Sequence, residues 1–430
     1  MDIGLDKIKG VSLLRAARNR DIQRITSMLE TGADINFKGS LGRTALHEAA
    51  QSGHLPSLRL LIKRGAGLNV GDIDGRTPFW LAVDCWQTET AREIADAGAD
   101  VNIPDINGCL PVHIAAGTGQ NGILKKIIEL GGSIDVKTVS GRGGTGRTAL
   151  HIAASAGYGS TVKLLLEAGA DPNVCDAELR TPLHGAAESL NTDITAALLA
   201  NGAEINTCDG RGRTALHTAA KRGNLAMVSL LLGHGADPNV MDINGETALG
   251  SAAFSGDPEI IRVLLHAGAR ADSVRSGENS ALHTAVSRHL ISGSGSCCID
   301  LLIKNGADMN AKGRNGMTPL MHAALYGSAS SVGILLKLGA DPNLQDKNGM
   351  TALMAAAENR HADSAALLLE HGADPGIRDI NNRDVLDRTA VYGAKEITAL
   401  IEDLNKKHAA VMCKAHILID TRCQDTGPEL

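Results

Sequence analysis

A chain of 430 residues with 43% apolar content has enough apolar material to fold, so disorder by composition is excluded. Only 2 Trp, 3 Tyr and 3 Phe belong to that content, so the core is made of Ala, Leu, Ile, Val and Met. Thin, repeated cores fit those side chains better than one wide enzyme-like core. The 42 basic and 48 acidic residues give a formal charge of −6, which supplies no basic footprint for nucleic acid or an anionic membrane.

The opening segment MDIGLDKIKG lacks a secretory pattern, and no apolar run approaches membrane-spanning length. Eight Cys, with no zinc spacing and Cys297 beside Cys298, fit a reduced intracellular chain. The cytoplasm is the expected location, with nuclear access through partners.

Internal similarity organises the rest of the chain. A Thr followed by apolar residues falls at Thr44, Thr77, Thr148, Thr181, Thr214, Thr247, Thr318 and Thr351, with Leu110 and Ser280 filling two further slots. The spacing is 33 residues, or 38 where five residues are inserted. A Gly-Ala or Gly-Gly pair keeps step from Gly32-Ala33 to Gly372-Ala373. Projection by one period each way predicts about twelve units over residues 8–408, followed by an extension at 409–430 that is partly disordered.

In chain order, the first unit (11–36) carries outward Arg and Asp residues and reads as a cap. The insertion near 141–146 is expected to lengthen a connector tip. It contains Gly141, Gly143 and Gly146 in a GxGxxG pattern but lacks the strand that dinucleotide chemistry needs. The unit 214–240 shows the local code most clearly. Leu216, Ala219 and Ala220 mark a short first helix, and Gly223 stops it. Met227, Val228, Leu231 and Leu232 line a second helix, and Gly235 stops that one. The insertion near 288–296 is expected to lengthen a turn between paired helices. The last unit, from Asp384, carries Asp, Lys and Glu and reads as the opposite cap.

The stretches GRTALHEAA at 42–50, GRTALHIAASAG at 146–157, RTPLHGAA at 180–187 and GRTALHTAAKRG at 212–223 resemble the ankyrin-repeat family. That resemblance implies an all-α repeat solenoid of helix-turn-helix units joined by β-turn fingers. It also implies a concave face of fingers and first helices, and a partner that is a protein.

Candidate binding residues come from departures within the repeat. Arg43, Arg76, Arg147, Arg180 and Arg213 precede the repeat Thr and form an expected basic row for Asp or Glu on a partner. A solvated finger residue bonded to its neighbour is the plainer reading. Trp80 takes a slot that His47, His113, His151, His184, His217 and His283 fill elsewhere, and Trp86 takes a glycine slot. Phe254 and Tyr326 fall late in first helices, where small residues are usual. These four aromatics are expected partner anchors, with local packing as the alternative.

The expected function is a monomeric protein-binding scaffold or adaptor whose partner carries an acidic segment. No cofactor, metal, nucleic acid or membrane is called for. The alternative is an unusual enzyme or small-molecule receptor near Trp80, Asp84 and Cys85, or near Arg288, His289 and Cys297.

Overall fold

The computed structural model describes residues 3–139, 145–273, 277–288 and 295–407. Two compact units divide the chain: Met1–Ala215 with Gly233–Gly235, and Leu216–Leu232 with Ala236–Leu430. Each is an all-α repeat solenoid.

The repeat Thr starts a first helix because its side chain serves backbone N–H groups that the helix leaves unpaired. Thr77, in extended conformation, accepts from the Trp80 N–H at 3.1 Å and opens the helix Pro78–Asp84. Proline at the first helical position costs no hydrogen bond there. The helix Ala45–Ser52 stops at Gly53, whose φ of +68° carries its N–H back to the Ala50 carbonyl at 3.3 Å. The second helix of that pair, Leu55–Lys63, buries Leu58 and Leu61 completely.

Packing then follows the period. In the first unit, Ala45–Ser52 lies between the first helices Ile3–Arg18 and Pro78–Asp84, and Leu55–Lys63 lies between the second helices Ile22–Glu30 and Thr88–Asp96. The second unit repeats this, with Ala281–Arg288 between Ala248–Ser255 and Pro319–Leu325. Ala49, Ala50, Ala115, Ala116, Ala153 and Ala154 are fully buried where neighbouring first helices meet. Small side chains let those helices approach. The leucines behind them supply about 1.5–3 kcal/mol of burial each.

Connectors between helix pairs close as hydrogen-bonded turns. The Asp72 N–H donates to the Arg76 carbonyl at 3.0 Å, and the Asp72 carboxylate accepts from the N–H groups of Asp74 and Arg76, both at 3.0 Å. Each turn also holds the previous one: Ile73 N–H donates to the Leu41 carbonyl at 3.1 Å, and Ile106 N–H to that of Asp74 at 2.9 Å.

Three details differ from expectation. The first helix begins at Ile3, ahead of the expected start near residue 8, and has 16 residues; it exposes Leu5 and Ile8 before the expected cap and Val11 at its first position. Trp86 leaves the stop of its helix unaltered: its φ of +58° reproduces the glycine geometry, with its N–H on the Val83 carbonyl at 3.1 Å. Of the GxGxxG stretch, Thr145 and Gly146 are described, and the φ of Gly146, +67°, is that of an ordinary turn glycine. The insertion at 289–294 and the extension from 408 lie outside the described residues.

Candidate protein-binding surface

The histidine slot is structural. Thr44 N–H donates to His47 Nδ1 at 3.0 Å, which leaves Nε2 as the donor to the Arg76 carbonyl of the next unit, also at 3.0 Å. His113, His151, His184, His217 and His283 make the same reach, to the carbonyls of Val136, Arg180, Arg213, Glu246 and Met317 at 2.8–3.1 Å. Burial lowers the proton affinity of His47, His113, His184 and His283, and lowers the His151 pKa to about 4. A neutral imidazole suits the bridge, because Nδ1 must remain an acceptor.

Trp80 corrects the reading of that residue as a partner anchor. It is 5% exposed, and its indole N–H donates to the Cys109 carbonyl at 2.9 Å, the acceptor a histidine reaches elsewhere. The indole is long enough to make the same bridge, and the Arg76 guanidinium covers its ring at 4.8 Å.

The arginine row is spoken for within the chain. Arg43 and Arg147 each place Nε 3.4 Å from the buried carboxylate of the next turn, Asp72 and Asp176 respectively. Arg213 pairs with Asp209 at 2.7 Å, Arg180 with Glu188 at 2.6 Å, and Arg76 with Asp74 at 3.5 Å. Their side chains are only 13–35% exposed. Five cations facing five carboxylates steer an acidic partner weakly. The expected basic stripe is therefore largely neutral.

Trp86, Tyr326 and Phe254 are exposed by 60%, 47% and 38%. All three stand at the C-terminal end of a first helix, whereas each arginine precedes the N-terminal end of one. Two guanidinium groups nevertheless reach along the helices: Arg43 donates to Gln51 Oε1 at 2.9 Å and Arg180 meets Glu188 at 2.6 Å, both near the C-terminal end of a first helix. Phe254 carries the Lys221 ammonium at 5.2 Å over its ring, and Tyr326 leans on the buried His322 at 6.1 Å.

Trp86 holds a backbone that disfavours side chains by about 1–2 kcal/mol. Arg20 and Arg360 occupy equivalent left-handed positions, but each donates to a carbonyl of the following unit, Ser52 and Tyr392. Among the described residues Trp86 has no such bond to offset the strain. Trp86→Gly is expected to raise stability by about 0.5–1 kcal/mol after the extra freedom of unfolded glycine is subtracted. Thermal unfolding reads this, and a net loss would show that the half-exposed indole packs usefully.

One surface was not anticipated. Leu41, Ile73, Ile106 and Val139, on four successive turns of the first unit, are exposed by 48%, 61%, 56% and 51%. A Cβ on Gly42 would stand 3.2 Å from Ile73 Cγ2, and one on Gly108 would stand 2.5 Å from Val139 Cγ2. Gly42 thus leaves room for Ile73 and Gly108 for Val139, while Leu41 stands one residue past the register of the other three, whose slot in the first turn holds Ser40. The row ends where Ala177 and Gly210 take the slot. In the second unit the slot holds Ile243, Arg314, Lys347 and Ile380, with no apolar row. The signal was present in DIDG and DING, where an aliphatic residue sits inside an otherwise polar turn.

No group of three or more His, Cys, Asp or Glu among the described residues is placed to hold a metal ion. Burial and Asp84 raise the Cys85 thiol, opposite to the shift a nucleophilic cysteine needs. Burial pushes Cys109 up to about 12. His289 lies outside the described residues, so the second cluster named above is not assembled by them. No helix among the described residues is long and apolar enough to cross a membrane.

Residues 13–105, 87–176, 112–209, 162–242, 183–275 and 282–379 match the family model described as "Ankyrin repeats (3 copies)". The chain belongs to the ankyrin-repeat family. Among solved structures it is similar to the crystal structure of the human ASB11 ankyrin repeat domain, at 29% identity over 51% of this chain and 98% of that one, with a TM-score of 0.46. No curated protein matches it. Ankyrin repeats are a scaffold for protein–protein interaction, and the chemistry of this chain's own exposed side chains is what remains to define its partner.

Proposed function

We propose that the chain is a scaffold that holds an extended segment of a partner protein along the row Leu41–Ile73–Ile106–Val139. The exposure of Ile73, Ile106 and Val139 in one register on successive hydrogen-bonded turns, with Leu41 at the end of the row, carries this reading. Contiguous apolar surface of this kind marks interaction sites, whereas single exposed aliphatics do not. Stacked helices repeat every ~10 Å, and one turn of a polyproline II segment, three residues at about 3.1 Å each, spans about the same distance and returns its side chains to one face. The matching partner therefore carries an apolar side chain at every third position. Trp86, at the other end of its helix, is the anchor for a second contact, since it bears strain with no compensating bond among the described residues.

A partner captured on the intact chain and then purified is the reagent for the test. Ile73→Ser with Ile106→Ser is expected to weaken its binding about 30-fold, from the loss of about 1 kcal/mol of apolar burial at each position. The unfolding midpoint should hardly move, because both side chains face solvent in the free protein. Affinity equal to that of the parent chain would remove the row from the interface.

A further inference from the structure

We propose that a cleft beside the first turn binds an acidic peptide segment, one apolar side chain flanked by Asp or Glu, from the partner protein. This rests on the protein-binding reading above and adds the chemical class of the segment. The cleft has a volume of about 530 Å³ and lies between the helix Ile3–Arg18 and residues 37–40. Lys7, Arg15, Arg18 and Lys38 line it, and no carboxylate among the described residues does.

These cations differ from the arginines of the turns in what they face. Arg18 is bidentate to Glu48 at 2.8 and 2.9 Å, so its charge is compensated. Lys38 donates only to a neutral group, the Gly71 carbonyl at 3.0 Å. Lys7 and Arg15 are exposed and make no hydrogen bond or ion pair among the described residues. Among the described residues, three positive charges therefore stand uncompensated around one cleft, in a chain whose net charge is −6.

The cleft wall is apolar and fixed. A Cβ on Gly10 would lie 2.2 Å from Phe37 Cγ, so the ring is seated against the helix at the one residue that leaves room for it. Val11, 42% exposed, lines the cleft with Phe37. An apolar side chain fits against that wall while carboxylates on either side reach the cations. Ser40, the last lining residue, adjoins Leu41, where the aliphatic row begins. A partner chain leaving the row in that direction meets the cleft next. Charge here sets the direction in which the segment lies and rejects basic segments.

The test uses the full chain and a fluorescein-labelled octapeptide with Leu and Phe at its centre and three Asp or Glu on each side. Anisotropy is expected to show saturable binding that weakens as salt rises from about 50 to 200 mM. Lys7→Glu with Arg15→Glu should weaken it about 30-fold, and the milder Arg15→Ala with Lys38→Ala about 10-fold. Ile73→Ser with Ile106→Ser should leave octapeptide binding unchanged, so the failure of the row and the failure of the cleft are separate results. Undiminished binding to the charge-reversed chain would overturn the proposal. So would equal affinity for the octapeptide with Lys in place of the acids. A single-stranded oligonucleotide of equal charge that displaced the octapeptide at the same concentration would reassign the cleft to polyanions in general, against the proposal.

Discussion

Arg388→Ala is expected to cost about 3 kcal/mol, the largest loss from any single substitution considered for this chain. Arg388 sits on the helix Val385–Tyr392 with its side chain 5% exposed, and its two terminal nitrogens reach Glu358 and Asp379. The Asp379 side chain is 1% exposed. Its carboxylate also accepts from the N–H groups of Asn381 and Arg383, both at 2.8 Å. Truncation at Arg388 strands a buried carboxylate that keeps only Arg383, at 3.2 Å, as a cation. Removing one partner of a buried pair costs about 3–5 kcal/mol, and the low end applies because Arg388 Nε has no partner to lose. In a repeat array that loss falls on the neighbouring interface. Urea unfolding followed by circular dichroism should show the last helices melting earlier, and a coincident melting curve would contradict the assignment.

Acid should weaken the repeats in a window fixed by their histidines. Free histidine titrates near ~6.5, while His151 in the folded chain titrates at about 4, and His47, His113, His184 and His283 are all shifted downward by burial. Between the two values the unfolded chain binds the proton and the folded chain does not. The contribution is complete above pH ~6.5 and is lost as the pH falls through about 4. For His151 the difference is worth about 3 kcal/mol, at 1.36 kcal/mol per pH unit. Protonation also turns Nδ1 into a donor facing the Thr148 N–H, which now donates to it at 3.3 Å. Unfolding midpoints measured from pH 7.5 to pH 4.5 are expected to fall steeply below pH 6.5. His151→Gln should flatten that fall by its own share, and an identical slope would show that this bridge does not titrate as described.

The repeat, its helix boundaries and the structural part of the histidines were legible because each rests on local rules. A Thr before an apolar helix, a glycine after it and an imidazole three residues past the Thr leave little freedom. Trp80 was misread because its type suggested an anchor, whereas its slot specified a bridge: the indole N–H finds the carbonyl that imidazole finds elsewhere. The arginines were misread for the converse reason. Their spacing is visible in sequence, but the carboxylates that face them lie on the neighbouring turn, within their own, or, for Arg180, at the end of the helix that follows. The aliphatic row escaped notice because one Ile in a polar turn means nothing until the turns are stacked.

Where a turn carries the Asp, it keeps its shape without help from the residue that precedes the first helix's N-cap. Where that residue is Cys109 or Met350, Asp105 and Asp346 still accept two backbone N–H groups at 2.7–2.9 Å, as Asp72 and Asp176 do beside arginine. The position behaves as a variable letter in a fixed word. Arg, Cys, Glu, Asn and Met occupy it along this chain, before Thr in most repeats, with Cys109 before Leu110 and Asn279 before Ser280. New specificities can therefore be written one repeat at a time, by point substitution, without renegotiating the framework that displays them.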